Sequence, residues 1–110
     1  MSEQFNITII REALDGIRGD DQRRIATVGL AWVETLLRKN ADYGSSAWQV
    51  PVMCPKLSAS DAILVRMSDK IQRILALMNK PAEVVSESLH DTFSDLGAYC
   101  LLYVAQPVDN

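Results

Sequence analysis

No stretch of this 110-residue chain approaches the ~20 apolar residues that a membrane-spanning helix needs. The opening Met1-Ser2-Glu3-Gln4-Phe5 lacks the basic-then-apolar order of a secretory leader. Both absences point to a soluble, cytoplasmic protein with no membrane partner. Positive charge is not in excess either: eleven Lys and Arg stand against fourteen Asp and Glu, a formal net charge of -3. A dedicated DNA-binding module usually carries a basic footprint, so a nucleic-acid partner is not expected. The two cysteines, Cys54 and Cys100, are too few and too far apart for a metal framework. Each reads as a small buried hydrophobe or a free thiol, and no disulfide is expected. There is no glycine-rich phosphate loop and no HExxH metal motif. The single histidine, His90, has no nucleophile–base arrangement around it, which leaves a serine or cysteine hydrolase unsupported. His90 reads as a surface or capping residue.

What is present is an ordinary globular balance, 48% hydrophobic and 23% charged. The length fits one domain over residues 1–110. Apolar residues recur at helical spacing in four segments. The first runs from about Ile7 to Ile17, although the β-branched run Ile7-Thr8-Ile9-Ile10 also suits an extended strand. Gly16 and Gly19 bracket its end. The second runs from about Asp20 to Asn40, with Asp20 and Asp21 at its start and Ile25, Val28, Trp32, Val33, Leu36 and Leu37 along one broad stripe. A loop over about Ala41 to Ala59 follows, because Pro51 and Pro55 forbid a helix there. The third segment runs from about Ser60, read as the N-cap, to Met78. Ile63, Leu64, Met67, Ile71, Ile74, Leu75 and Met78 form its expected buried face. The fourth runs from about Ser86, the preferred N-cap, to Ala105, although Pro81 could start it earlier. Its stripe is Leu89, Phe93, Leu96, Cys100 and Tyr103. The expected fold is therefore all-α: a bundle of about four helices with a long loop between the second and third. Short helical proteins commonly bury further surface by oligomerising, so a homodimer or higher oligomer is expected.

The chemistry concentrates in two places. Glu87, Asp91 and Asp95 are spaced four apart and share one helix face. The same line continues to Ala98 and Leu102, so the acids run toward the packed surface. Like charges at this spacing repel, and partial burial raises the cost unless a cation compensates. That cation is either a hard metal such as Mg²⁺, with Glu34 as a further ligand from the second helix, or a set of basic side chains. Arg66, Lys70 and Arg73 on the third helix supply the basic alternative. They read either as phosphate ligands beside the acids or as a solvated face lying over the core. Asp69, in line with Ala62, Val65 and Ala76, reads as partly buried and paired with Arg66 or Arg73.

The second place is Lys39-Asn40-Ala41-Asp42-Tyr43-Gly44 at the end of the second helix, with Gly44 allowing an unusual turn. Tyr43 and Trp48 could stack on a base or plug the end of the bundle. Composition weighs the two equally.

Taken together, Lys39–Gly44, then Arg66-Met67-Ser68-Asp69-Lys70 with Arg73, then Glu87-Ser88-Leu89-His90-Asp91 and Asp95-Leu96-Gly97-Ala98-Tyr99, resemble the phage and bacterial nucleotide-modification-associated domain of the first type. The resemblance covers roughly Ala31 to Val104. That family is similar to the MazG-like all-α nucleotide pyrophosphohydrolases. The resemblance implies a Mg²⁺-dependent domain that hydrolyses a nucleoside triphosphate to monophosphate and pyrophosphate. Glu34, Glu87, Asp91 and Asp95 would hold the metal. Lys39, Asp42, Tyr43, Trp48, Arg66, Asp69, Lys70 and Arg73 would meet the nucleotide. The enzymes pair two glutamates three apart on an early helix with Glu-x-x-Asp on a later one. Here Leu37 stands three after Glu34, and Thr92 stands three before Asp95. Two other functions fit the same residues. One is binding of a nucleotide or nucleotide-derived signal without turnover. The other is a structural bundle whose acids simply pair with the basic helix.

Overall fold

The computed structural model describes residues 7–80 and 82–107, apart from the side chains at 7, 43 and 82–87. Among them are four α-helices and one 3-10 turn, and no strand: α1 (Ile7–Asp15), α2 (Gly19–Tyr43), the turn Ser46–Trp48, α3 (Ala59–Leu77) and α4 (Ala82–Val104). The chain forms the all-α helical bundle expected. No helix of the described residues is long and apolar enough to cross a membrane. Contacts divide the chain into two compact units between Thr35 and Leu36, inside α2.

In the first unit, the β-branched opening of α1 is helical rather than extended. The helix stops where the glycines predict: Gly16 N–H donates to the Glu12 carbonyl at 3.0 Å, and Ile17 N–H to Leu14 at 3.2 Å. Arg18 donates to the Asp15 carbonyl at 2.9 Å and so covers an acceptor the helix leaves open. Gly19, with φ +73, turns the chain into α2. Asp20 and Asp21 occupy the first turn of α2 and pair with Arg23 and Arg24. These pairs are exposed and add little stability.

In the second unit, α2 ends at Tyr43 and Gly44 follows with φ +66, the left-handed conformation favoured after a helix C-terminus. The Asn40 amide donates to the Gly44 carbonyl at 3.2 Å and holds that turn. The connection to α3, residues 44–58, is shorter than the predicted loop because α2 runs on through Tyr43 and α3 starts at Ala59. The cap of α3 is Ser58 rather than the expected Ser60. Ser58 has an extended backbone and its hydroxyl accepts from Asp61 N–H at 3.0 Å. Asp61 sits three residues after Ser58, the spacing of a capping pair. α4 likewise starts at Ala82, so Ser86 lies inside the helix rather than at its start. Ala82-Glu83-Val84-Val85 carries no helix breaker, and a proline just ahead of a helix start is favoured.

The buried hydrophobic core is small. Ile63 (0% exposed), Ile74 and Ala62 on α3 are its buried members, and Thr92 of α4 is the buried polar residue at 3%. The Thr92 hydroxyl donates to the Ser88 carbonyl at 2.6 Å, so its burial leaves nothing unsatisfied. Much of the expected buried face stays in solvent. Leu64, Ile71, Leu75 and Met78 on α3, and Phe93, Cys100 and Tyr103 on α4, are exposed. The physical reason is the width of the apolar arc. The predicted face of α3 spans about 120° of the helix, and its covered members, Ile63, Ile74 and half-buried Met67, occupy only about 40° at one edge of that arc. On α2 the stripe splits in the same way: Trp32 and Leu36 are half-buried, whereas Ile25, Val28, Val33 and Leu37 are exposed. Both cysteines are free and exposed, which matches the free-thiol alternative and not the buried hydrophobe.

Candidate functional site

The acidic line on α4 behaves as its spacing predicts. Asp91 is 73% exposed, Asp95 54%, and Ala98 and Leu102 beyond them are half-buried. The line therefore sinks toward packed surface one turn at a time. Where it begins to sink, a cation answers it: Lys70 Nζ of α3 lies 3.2 Å from Asp95 Oδ2. The compensation required for Asp95 thus comes from the basic helix. Asp91 remains in solvent, 3.9 Å from its neighbour His90, which is a surface residue as expected.

Around Asp95 lies a cleft of about 210 Å³ within the second unit. Arg66, one turn before Lys70, lines it from α3. Lys39 and Asn40 line it from the end of α2, and Tyr99 from α4, one turn after Asp95. Gly44 and the 3-10 turn complete it through Ser46 and Ala47. The local cause is the positive φ of Gly44, which lets the chain double back immediately after α2. The turn is then pinned at its far end, where the Trp48 indole N–H donates to the Leu102 carbonyl at 3.0 Å. That carbonyl belongs to the last turn of α4, where the helix itself supplies no donor.

The cleft thus gathers two cations, one carboxylate, a primary amide, a hydroxyl and an aromatic ring. Lys39 and Arg66 come from different helices and their charges converge on one volume. Ammonium and guanidinium groups placed this way form charge-assisted hydrogen bonds to phosphate or carboxylate oxygens, roughly twice as strong as neutral ones. Arg66 can present two parallel N–H groups to one anion.

Of the residues singled out from sequence, Lys39, Arg66 and Asp95 meet in the cleft, and Lys70 joins them through Asp95. Asp42, Asp69, Arg73 and Asp91 are exposed and do not line it. Asp69 was expected to be partly buried. It is exposed, as are Val65 and Ala76 on the same line, and of that line only Ala62 at the start of α3 is buried. Glu34 is exposed on α2 in the first unit. The side chains of Tyr43 and Glu87 lie outside the described residues. Among the described residues no three His, Cys, Asp or Glu side chains gather closely enough to hold a metal ion. Trp48 serves the bundle end. Replacing Trp48 with Phe should cost about 1–2 kcal/mol, through the lost hydrogen bond and part of the packed ring. Thermal unfolding would register this, while affinity for a cleft ligand should fall only slightly and in step with stability, because the turn that Trp48 pins carries Ser46 and Ala47. A loss of affinity at unchanged stability would instead make Trp48 a stacking residue.

Sequence reasoning passed over Ser46 and Ala47, which carry no chemical signal of their own. It quoted Asn40 and Tyr99 without giving either a role. Tyr99 was legible: it lies four residues after Asp95, one turn along the same side of α4.

The cleft falls almost wholly inside a stretch that a protein-family model recognises. The model described as nucleotide modification associated domain 1 matches residues 39–106. That segment begins at Lys39 and ends just past α4, so it takes in most of the second compact unit. No curated protein and no solved structure matches the chain.

Proposed function

Since the chain belongs to the nucleotide modification associated domain 1 family, we propose that the cleft receives the phosphate end of a nucleotide or nucleotide-derived small molecule. The observation that carries this reading is the convergence of Lys39 and Arg66, from two helices, inside the family segment. At about 210 Å³ the cleft is smaller than a typical ligand pocket of roughly 300–1,000 Å³. It suits the phosphates, or the phosphates and sugar, with the rest of the ligand over its rim. Ser46 offers a hydroxyl to phosphate or sugar oxygens, and the Tyr99 ring gives an apolar wall.

Asp95 tunes this site. A lone carboxylate beside phosphate would repel it, and Lys70 neutralises that repulsion. The same carboxylate also suits Mg²⁺, which binds through one or two carboxylates together with substrate phosphates rather than through an all-protein cage. Asp95, with Asp91 one turn away, would hold an ion that arrives with the phosphates. Such an ion would draw charge from the phosphoryl oxygens. The chain's own share of the work is to fix the phosphate chain with Lys39 and Arg66 and to shield developing negative charge there.

A Mg²⁺-dependent nucleoside triphosphate pyrophosphohydrolase is the second reading, favoured by the Asp91–Asp95 line leading into the cleft. It needs more carboxylates than Asp91 and Asp95, from Glu87 or a second copy. The sinking of Thr92 into the α3/α4 packing takes away the position where the MazG-like pattern carries a glutamate. Binding without turnover therefore ranks first.

The test is thermal unfolding of the full chain with inorganic pyrophosphate and with nucleoside mono-, di- and triphosphates, each with and without Mg²⁺. A ligand held at a hundred times its dissociation constant stabilises the folded state by about 2.7 kcal/mol, a shift of many degrees for a chain this size. The expected result is a shift that grows with phosphate number. Unfolding that no phosphate compound moves sinks the proposal. Pyrophosphate release by the bound complex would promote the second reading.

A further inference from the structure

α3 carries two lines of side chains with the spacing of a helix–helix seam. Ile63, Met67, Lys70, Ile74 and Leu77 make the first, and its buried members Ile63 and Ile74 are core. One residue further round, Leu64, Ser68, Ile71, Leu75 and Met78 repeat at intervals of four, three, four and three. Within the second unit, no described residue covers this second line. α4 shows a similar pattern. One residue round from buried Thr92 comes exposed Phe93, and the line continues through half-buried Gly97 to exposed Cys100 and Val104.

The short link after α3 makes α3 and α4 an antiparallel hairpin. The mid-helix pair Lys70–Asp95 fits that register. Two right-handed helices running in opposite directions turn in opposite senses when viewed from one end. The line one residue beyond the packed line therefore falls on the same side of both. The two exposed stripes form one face of the hairpin, and Arg66 and Asp95, which precede the packed line on each helix, lie toward the other.

Two properties of this face choose its occupant. First, its size: Leu64, Ile71, Leu75, Met78, Phe93 and Val104 are between 42% and 82% exposed. Together they present roughly 600 Å² of apolar surface, at the upper end of what a monomer carries and near the about 800 Å² per partner of a standard interface. Second, the face is self-complementary. No charged residue lies in either exposed stripe, and the Ser68 hydroxyl is satisfied internally by the Leu64 carbonyl at 2.9 Å. A twofold contact sets each side chain against an identical surface, so an uncharged stripe meets no like-charge repulsion.

We infer that this face is the contact surface of a homodimer, in which two α3/α4 hairpins pack face to face about a twofold axis. The two clefts then open on opposite outer sides. The inference is independent of what the clefts bind.

Light scattering from the full chain over a range of concentrations tests it. The expected mass at high concentration is twice the 12.2 kDa of the chain. Leu75→Glu, central in the stripe, should weaken the dimer by at least about thirtyfold, as loss of a central anchor does. Val65→Glu, equally exposed on α3 but off the stripe, should leave the dimer intact. A second readout needs no variant on the face. Alkylation of Cys100 in the wild-type chain should slow as concentration rises, with exposed Cys54 as an internal reference that does not. A chain that stays monomeric at every concentration overturns the inference, as does a folded Leu75→Glu chain that dimerises normally. Cys100 shielded in a monomer would place the chain's own first unit on the face and overturn it equally. If Leu75→Glu does not fold, the alkylation result decides alone.

Discussion

Replacing Arg66 with alanine should lower affinity for a nucleoside triphosphate about ten- to a hundredfold while leaving the fold almost untouched. A hydrogen bond to a charged group is worth about 1.5–3 kcal/mol, and a guanidinium on phosphate makes up to two of them. Arg66 is exposed in the free protein, and surface substitutions of this kind change stability by less than about 0.5 kcal/mol. Binding and stability should therefore separate cleanly. Calorimetric titration gives the first and thermal unfolding the second. Arg66→Lys keeps the charge and loses the fork, so it should recover only part of the affinity. If Arg66→Ala binds as tightly as the parent chain, the cleft is not the phosphate site and the proposed function fails with it. The structural bundle of acids paired with a basic helix would then be the better reading, because Lys70 and Asp95 already satisfy each other.

The degree to which this site was legible depends on which forces were local. The end of α2 was readable to within a turn: Gly44 supplies the positive φ that stops the helix, but the helix runs through Tyr43, past the expected end at Asn40. The acidic line and its basic partner were readable from spacing alone, since a period of four on one helix and a cation on the next are arithmetic. The Lys70–Asp95 pair is the outcome. What spacing could not decide was how far round each helix the packing extends. Leu64, Ile71 and Leu75 look as core-like as Ile63 and Ile74 in a one-dimensional pattern, and only the number of neighbouring helices tells them apart. The two misplaced caps have a related cause. Ser58, Ser60 and Ser86 are equally good cap residues in isolation. Ser58 takes the cap by accepting from the Asp61 backbone N–H, with the Asp61 carboxylate favourably placed in the first turn, whereas Ser60 alone was the cap expected from sequence. The role of Trp48 was undecidable without the last turn of α4 in view, because its partner is a backbone carbonyl at Leu102.

The second large effect concerns Thr92, which stands where the MazG-like catalytic pattern carries a glutamate. Thr92→Glu would restore the Glu-x-x-Asp spacing with Asp95. If the carboxylate face of α4 were simply a degraded metal site, that change should be tolerated and should bring Mg²⁺-dependent pyrophosphate release with it. The structure argues for the opposite. Thr92 is on the buried side of α4, its hydroxyl closed on the Ser88 carbonyl, while Asp91 and Asp95 point toward solvent and the cleft. A glutamate at that position drives a larger side chain into packed space and a carboxylate out of water. The nearby cation on α3, Lys70, is already engaged by Asp95. An uncompensated buried charge costs about 3–5 kcal/mol, a large part of the 5–15 kcal/mol that holds a typical domain together. For a chain of this length the melting point should fall by about 10–20 °C, and no pyrophosphate release should appear. Thr92→Val is the control for shape. It keeps the volume but removes the hydroxyl, whose Ser88 acceptor is already shared with the helix ladder, so its effect should be small by comparison. A Thr92→Glu chain that melts like the parent and turns over nucleotide would mean that α4 presents a different face in the working assembly. In that event both the buried α3/α4 line and the homodimer face derived from it would have to be redrawn.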